Sequence, residues 1–304
     1  MKRLISLLMI LTVVLTAFVS CGDKAPVEKD YSLAIGVALT EKLENNKLTQ
    51  TVATIVTDAD GKIVLCRLDC VDYTAKYGED GALNTTAPVS KVALGESYMM
   101  EAGSWASQGK ALENYVVGKT QAEVAAIALD GGKVTDAELK ASCSIDVVDM
   151  LKAIDNAFKS EHKNTFKTAS TALTAGLNVS SQVKDSSKDD SKNVKLTTDY
   201  AAVVLADGVV VAAILDTAEP ELKGIVAETG ATSLSYKGTK RAQGESYGVM
   251  TSGTWYVQAD AYVKAAIGKT ASDIATIASE GVAGCTIYAG GYKAGIEAAV
   301  ALAR

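Results

Sequence analysis

The chain is 304 residues long, with 48% hydrophobic residues, 22% charged residues and a formal net charge of -6. That composition excludes an intrinsically disordered chain, which lacks apolar residues to bury, and the acidic balance argues against nucleic acid as a partner. Five cysteines and a single histidine, His162, exclude a dense disulfide scaffold and weaken zinc or histidine-based catalysis.

Lys2 and Arg3 precede an almost unbroken apolar run over residues 4–19, which ends at Ser20-Cys21-Gly22. A basic start, an apolar middle and a small residue before the cut make a signal peptide. The run is shorter than the ~20 residues of a spanning helix. The cysteine at the cut resembles the lipobox of bacterial lipoproteins. That resemblance implies a diacylglycerol on Cys21 and a mature chain beginning there, anchored to the outer face of the cell membrane. An ordinary secretory signal or an uncleaved anchor is the alternative. Residues 21–30 read as a polar tether. No later segment is apolar over a spanning length, so attachment would rest on the lipid and not on a polybasic patch.

The rest of the chain is self-similar. Gly95-Glu96-Ser97-Tyr98 recurs as Gly244-Glu245-Ser246-Tyr247, at an offset of 149. Trp105 and Gln108 recur as Trp255 and Gln258, and Gly118-Lys119-Thr120 as Gly268-Lys269-Thr270, both at an offset of 150. Asp60-Gly61 matches Asp207-Gly208, and Cys143-Ser144-Ile145 matches Cys285-Thr286-Ile287. The expectation is two tandem units, 31–163 and 164–304, each a small antiparallel sheet packed with about three helices, hence an α+β fold.

Each unit predicts the same elements in order. A strand comes first (33–40; 169–178), then a polar connection, which in the second unit holds a solvated Ser/Lys/Asp loop over 180–193. A hairpin follows (52–56 with 63–68; 201–205 with 209–215), turned by Asp-Gly. Another polar stretch leads to a helix (105–117; 255–267) ended by Gly118 or Gly268. Thr120-x-x-Glu123 and Thr270-x-x-Asp273 are N-terminal boxes of a short second helix. A third helix closes the unit (146–159; 288–302). The four cysteines after Cys21 read as buried thiols, because Cys66 and Cys70 are too far apart along one strand to bridge.

The junction before the last helix reads Glu280-Gly281-Val282-Ala283-Gly284-Cys285-Thr286-Ile287-Tyr288. It resembles the FMN-binding domain family, found in a subunit of sodium-pumping quinone reductases and in flavinylated surface lipoproteins. The family motif runs Asp-Gly-x-Ser/Thr-Gly-Ala-Thr, and its last threonine receives FMN as a phosphoester from a dedicated transferase. Here Glu280 stands for the acid, Gly281 and Gly284 match, Ala283 replaces the hydroxyl residue, Cys285 replaces alanine, and Thr286 matches the acceptor. The resemblance implies FMN on Thr286, with Gly281, Gly284, Cys285 and Tyr288 around it, and partners in an FMN transferase and redox proteins. The glycines would give the nucleotide room, and a helix N-terminus just beyond would offer N–H groups to the phosphate. The matching segment of the first unit, ending at Ser144, lacks both glycines and the acid, so no flavin is expected there. The same Gly-Cys-Thr also reads as a plain turn with Thr286 as an N-cap.

Thr229-Gly230-Ala231-Thr232 matches the last four motif positions, but no acid precedes it and no helix directly follows, so it reads as a loop with Thr232 as a competing acceptor. Trp105, Trp255, Tyr98 and Tyr247 read as core, Trp255 or Tyr256 alternatively as a flavin stacking partner. His162 reads as solvated, and Glu96 and Glu245 as turn and cap residues. No acid/base or nucleophile constellation stands out. Two functions follow: an extracytoplasmic flavin-based electron carrier, or a non-catalytic binding or structural surface lipoprotein with a decayed flavin site. A solute-binding lipoprotein fits less well, because such proteins alternate α and β around a cleft.

Overall fold

A computed structural model describes residues 27–304 apart from 189, 190, 227, 228, 251 and 288. The expectations for Cys21, the signal segment and Tyr288 lie outside the described residues. Strands β1 (Lys29–Lys42), β2 (Lys47–Asp58) and β3 (Ile63–Thr74) form an antiparallel meander. Helices α1 (Lys91–Leu94), α2 (Trp105–Val116), α3 (Gln121–Ala125), α4 (Ala137–Ser142) and α5 (Val148–Lys159) follow. Next, β4 (Asn164–Thr168) returns to pair antiparallel with β1, giving the sheet order β3-β2-β1-β4. A second sheet holds β5 (Leu173–Asp185), β6 (Val194–Ala206), β7 (Val209–Ala218), β8 (Glu221–Lys223) and β9 (Ser233–Ser235). Here β6 is flanked by β5 on one side and by β7 and then β8 on the other, with β9 beyond β8. Helices α6 (Lys240–Gln243), α7 (Trp255–Lys264), α8 (Ala271–Ile274) and α9 (Gly290–Ala301) complete the chain.

Side chains of a strand alternate between its two faces. In β2, Val52 and Val56 join Leu33, Ile35, Tyr200, Val204 and Ile214 in a core shared by both sheets. Their neighbours Ala53 and Ile55 face the other way, onto Leu112, Val116 and Ile154 of α2 and α5. In β6, Ala202 and Val204 turn to the shared core, while Ala201 and Val203 pack with Trp255, Tyr262 and Ile296 of α7 and α9. The layers therefore run helices, sheet, sheet, helices. The α+β class holds in that every named strand pair is antiparallel and the helices lie outside the sheets. The hydroxyl of Tyr200 donates across the layers to Gln50 Oε1, and both residues are buried.

Helix contact with the sheets is closest at two glycines. A Cβ at Gly36 would collide with the α5 backbone at Ala153 and Ala157, and a Cβ at Gly176 with the α9 backbone at Ala299. The β6–β7 hairpin turns on Asp207 (φ 51°) and Gly208 (φ 80°), the two left-handed residues of a two-residue turn. The capping boxes of Thr120 with Glu123 and Thr270 with Asp273 form as expected. Just before them, the Gly118 N–H donates to the Ile63 carbonyl (2.7 Å) and the Gly268 N–H to that of Val210 (2.8 Å).

Strand lengths differ from expectation most in the C-terminal half. β5 runs on to Asp185, so only residues 186–193 connect it to β6. Its polar end is held by main-chain pairing along β6, from Leu173↔Ala206 to Asp185↔Val194, which needs no apolar side chain on an open face. β4, β8 and β9 arise in segments read as strand-free or polar. The helices also start later or end sooner than expected: α9 begins at Gly290 and α7 ends at Lys264. The four cysteines 66, 70, 143 and 285 are free and buried.

Two buried carboxylates fasten one-turn helices to the sheets. Asp69 Oδ1 accepts from the N–H groups of Cys70 (2.7 Å) and Val92 (3.0 Å). Asp216 Oδ1 accepts from those of Thr217 (2.8 Å) and Arg241 (3.0 Å). Burial pushes the Asp69 carboxyl up to about 6, although its accepted hydrogen bonds pull the other way. Burial likewise raises Asp216, partly offset by Arg241.

Gly176→Ala is expected to cost about 1–3 kcal/mol by overpacking α9 on β5, read as a lower urea midpoint. A folded-state pKa above the unfolded value means that the folded chain holds the Asp69 proton more tightly, so this group's contribution to stability declines as pH rises from about 4 to about 6. Asp69→Asn keeps an acceptor and does not titrate. Its stability relative to the parent should therefore improve across that window and level off above it, as measured by urea unfolding at several pH values.

Candidate functional site

The junction holding Thr286 is built on α7. Thr254 precedes the helix, and one turn in, Gln258 is fully buried. Its Nε2 donates to the Gly253 carbonyl (3.1 Å). Its Oε1 accepts from both the N–H and the hydroxyl of Thr286, each at 2.8 Å. The amide thus joins the start of α7 to the segment before α9. Thr286 itself is exposed, and so are Glu280 and Gly281. Gly281 (φ 76°) and Gly284 (φ 81°) both occupy the left-handed region. An added Cβ at Gly281 would meet open space, whereas one at Gly284 would press on Ala261 of α7 at 3.2 Å. Gly281 therefore faces open space, while Gly284, though exposed, lies against α7 on one side.

Two expectations change. Thr286 is not an N-cap: α9 is preceded by Ala289, which makes no side-chain cap. The helix N-terminus lies four residues beyond the hydroxyl rather than next to it, because residues 287–289 intervene. Cys285 is buried, with its thiol directed to the Ile287 carbonyl (3.6 Å), and burial raises its pKa. Its side chain packs in the core between α7, α9 and the second sheet.

Trp255 is not available for stacking. It is buried, its Nε1 donates to the Tyr292 hydroxyl (3.2 Å), and the two rings meet edge to face. Tyr256 is half-buried, and His162 lies over it with ring centroids 4.3 Å apart, so His162 is packed on one face and only partly solvated. Thr232 turns its hydroxyl to the Lys223 carbonyl (3.0 Å), and Ala231 beside it donates to the Leu43 carbonyl (2.8 Å). Gly230 abuts the backbone of Leu43 and Glu44 so closely that a Cβ would collide. The Thr-Gly-Ala-Thr segment is thereby accounted for as a contact between the halves. Glu96 accepts from the Ser104 hydroxyl (3.1 Å), the expected turn duty.

The N-terminal half holds a counterpart of the Gln258 contact. Gln108 is fully buried, donates to the Gly103 carbonyl (3.0 Å), and accepts from the N–H (2.9 Å) and hydroxyl (3.2 Å) of Ser144. In the sequence Gln108 and Gln258 show only as helix residues, and their matching distance from Trp105 and Trp255 is the signal of a shared role. Two lysines repeat in the same way. Lys91 Nζ lies 3.1 Å from Asp72 and 5.3 Å from the Tyr98 ring centroid. Lys240 Nζ lies 3.3 Å from Glu219 and 5.1 Å from that of Tyr247. Ser90-Lys91 and Thr239-Lys240, at the same offset of 149 as the Gly-Glu-Ser-Tyr match, carried that signal. Among the described residues no group of three or more His, Cys, Asp or Glu side chains is arranged to hold a metal.

No protein-family model matches the chain, and neither a curated protein nor a solved structure matches it.

Gln258→Leu should leave the Thr286 N–H and the Gly253 carbonyl without their partner and cost about 1–3 kcal/mol. Gln108→Leu should cost a similar amount, and chemical denaturation of the two variants tests both.

Proposed function

We propose that this chain is an exported, lipid-anchored flavin carrier made of a duplicated α+β unit, with FMN esterified to Thr286 and the lipid on Cys21. The observation that carries the reading is an exposed threonine hydroxyl, held by a fully buried glutamine, beside a left-handed glycine that faces open space. An acceptor must be reachable by the transferase and held still, and Thr286 meets both needs. Gln258 fixes the hydroxyl through its Oε1 and keeps hold of the Thr286 N–H once that oxygen is esterified. Gly281 leaves the approach free of side chain. FMN, when bound, supplies the redox chemistry, while the protein supplies position and environment. The partners would be an FMN transferase and redox proteins outside the cytoplasm. The equivalent contacts of the two halves, through Gln108 and Gln258, Lys91 and Lys240, and Asp69 and Asp216, support descent from one duplicated unit.

One observation favours a second reading, a non-catalytic surface module with a decayed flavin site. Ser144 makes the same pair of bonds to Gln108 in a segment without the two glycines or the acid. That bond pattern can therefore serve packing alone.

Co-expression of the mature chain with an FMN transferase separates the two. The expected result is in-gel flavin fluorescence and a mass increment of FMN minus water, lost in Thr286→Ala and retained in Thr232→Ala. Absence of any adduct would favour the surface module, and loss in Thr232→Ala instead would move the acceptor.

A further inference from the structure

The first sheet lacks a neighbour along part of one edge. β4 pairs with β1 only from Lys29↔Thr168 to Leu33↔Asn164, whereas β1 continues to Lys42 with β2 on its other side. Among the described residues no strand pairs with residues 34–42 on the β4 side. Successive residues of a strand direct their N–H and C=O groups to opposite edges. The Val37 carbonyl points to the open edge, where it accepts from Asn156 Nδ2 of α5 at 2.8 Å. The same alternation turns the backbone groups of Ile35, Leu39 and Glu41 to that edge. It ends at Leu43, whose carbonyl takes the Ala231 N–H.

These groups open on a cavity of about 800 Å³ between the two halves. Its far wall includes Leu234 and Tyr236, on or just after β9, and among the described residues β9 pairs with β8 alone. Lys152, Asn156 and Lys159, spaced on one side of α5, form a third wall. A row of alternating backbone donors and acceptors is a template for another backbone, and only an extended chain repeats such groups every second residue. The gap is continuous with existing pairing at both ends, β4 before it and the Leu43–Ala231 bond after it. Its length of nine residues suits a segment of about seven to nine residues at the ~3.3 Å rise of a strand. Charges of both signs on the walls, among them Glu41, Lys152 and Arg241, select no net charge, while Ile35, Leu234 and Tyr236 favour aliphatic side chains.

We propose that this groove binds an extended, neutral, aliphatic-rich peptide segment of a partner protein as an added strand beside β1, paired to the backbone of Ile35, Val37, Leu39 and Glu41. The proposal is independent of any flavin on Thr286.

Residue-resolved amide hydrogen exchange of the mature chain tests it, with a pool of capped heptapeptides in which Thr alternates with Val, Ile or Leu as the probe. In the free protein the amides of Val37, Leu39 and Glu41 should exchange quickly, and those of Gly36, Ala38 and Thr40, turned to β2, slowly. Peptide at up to about 1 mM should slow the first set at least about tenfold and leave the second unchanged. A pool N-methylated at alternate residues should give no protection. Val37→Pro removes an edge N–H outside the β2 ladder and should weaken binding about tenfold or more; the exchange pattern of the unsubstituted chain decides the matter if that variant does not fold. Slow exchange of the first set without peptide, no protection by the pool, or equal protection by the N-methylated pool would each overturn the proposal. Protection that rises with protein concentration alone would replace the peptide by a second copy of this chain.

Discussion

Ala202, Val204 and Tyr200 of β6 meet Leu33, Ile35, Val52 and Val56 across the space between the two sheets. Because that face of each sheet is filled by the other, the opposite face must carry the helices, and no central strand has a solvent side. Apolar burial dominates the free energy of such an arrangement, and the four layers follow from it. Polar links also join the sheets: the Tyr200 hydroxyl bond to Gln50 is buried with its partner, and Arg67 Nε donates to the Ala175 carbonyl (2.9 Å). The Tyr200–Gln50 bond specifies register as well as adding stability, since a one-residue slip of either strand would carry its side chain to the other face.

Once the sheets are joined, the helices need fixed heights above them. Gly36 and Gly176 set the closest approach, where backbone meets backbone. Asp69 and Asp216 reach from β3 and β7 to the first N–H groups of α1 and α6. A buried carboxylate is costly unless its oxygens are used, and here backbone donors use them. Lys91 and Lys240 then cover the aromatic faces beside α2 and α7, with an acidic partner for each.

The Thr286 junction depends on the same scaffold. Gln258 is held by α7, α7 by β7 and β6, and these by the sheet interface, so the hydroxyl occupies a position defined by packing far from it. Thr286 and Thr232 are both exposed and both hydroxyls donate a hydrogen bond; the difference lies in the glycine beside each, since Gly281 faces open space and Gly230 abuts the backbone of Leu43 and Glu44. The same interface creates the groove beside β1: the second half lies alongside the unpaired edge and encloses it without pairing to it.

Elements whose cause is local were legible in the residues. The capping boxes at Thr120 and Thr270, the Asp207-Gly208 turn, the helices opening at Trp105 and Trp255 and the central strands carry their signals within a few positions. Elements whose cause is a partner were not. The polar end of β5 is a strand because β6 lies beside it, β4 because β1 has a free edge there, and β8 and β9 because β6 extends past β7. Thr286 was legible as part of a motif, and Gln258 as a matched residue, but not the bond between them, which spans 28 positions. Local conformation, the alternation of apolar side chains and the recurrence of like segments at offsets between 142 and 150 are legible in the chain alone, because these depend only on the order of its residues. Only the tertiary structure decided which faces are buried twice, which glycine lies against a helix and which faces open space, and where a sheet edge stays open, because each of those is set by what a distant segment brings into contact.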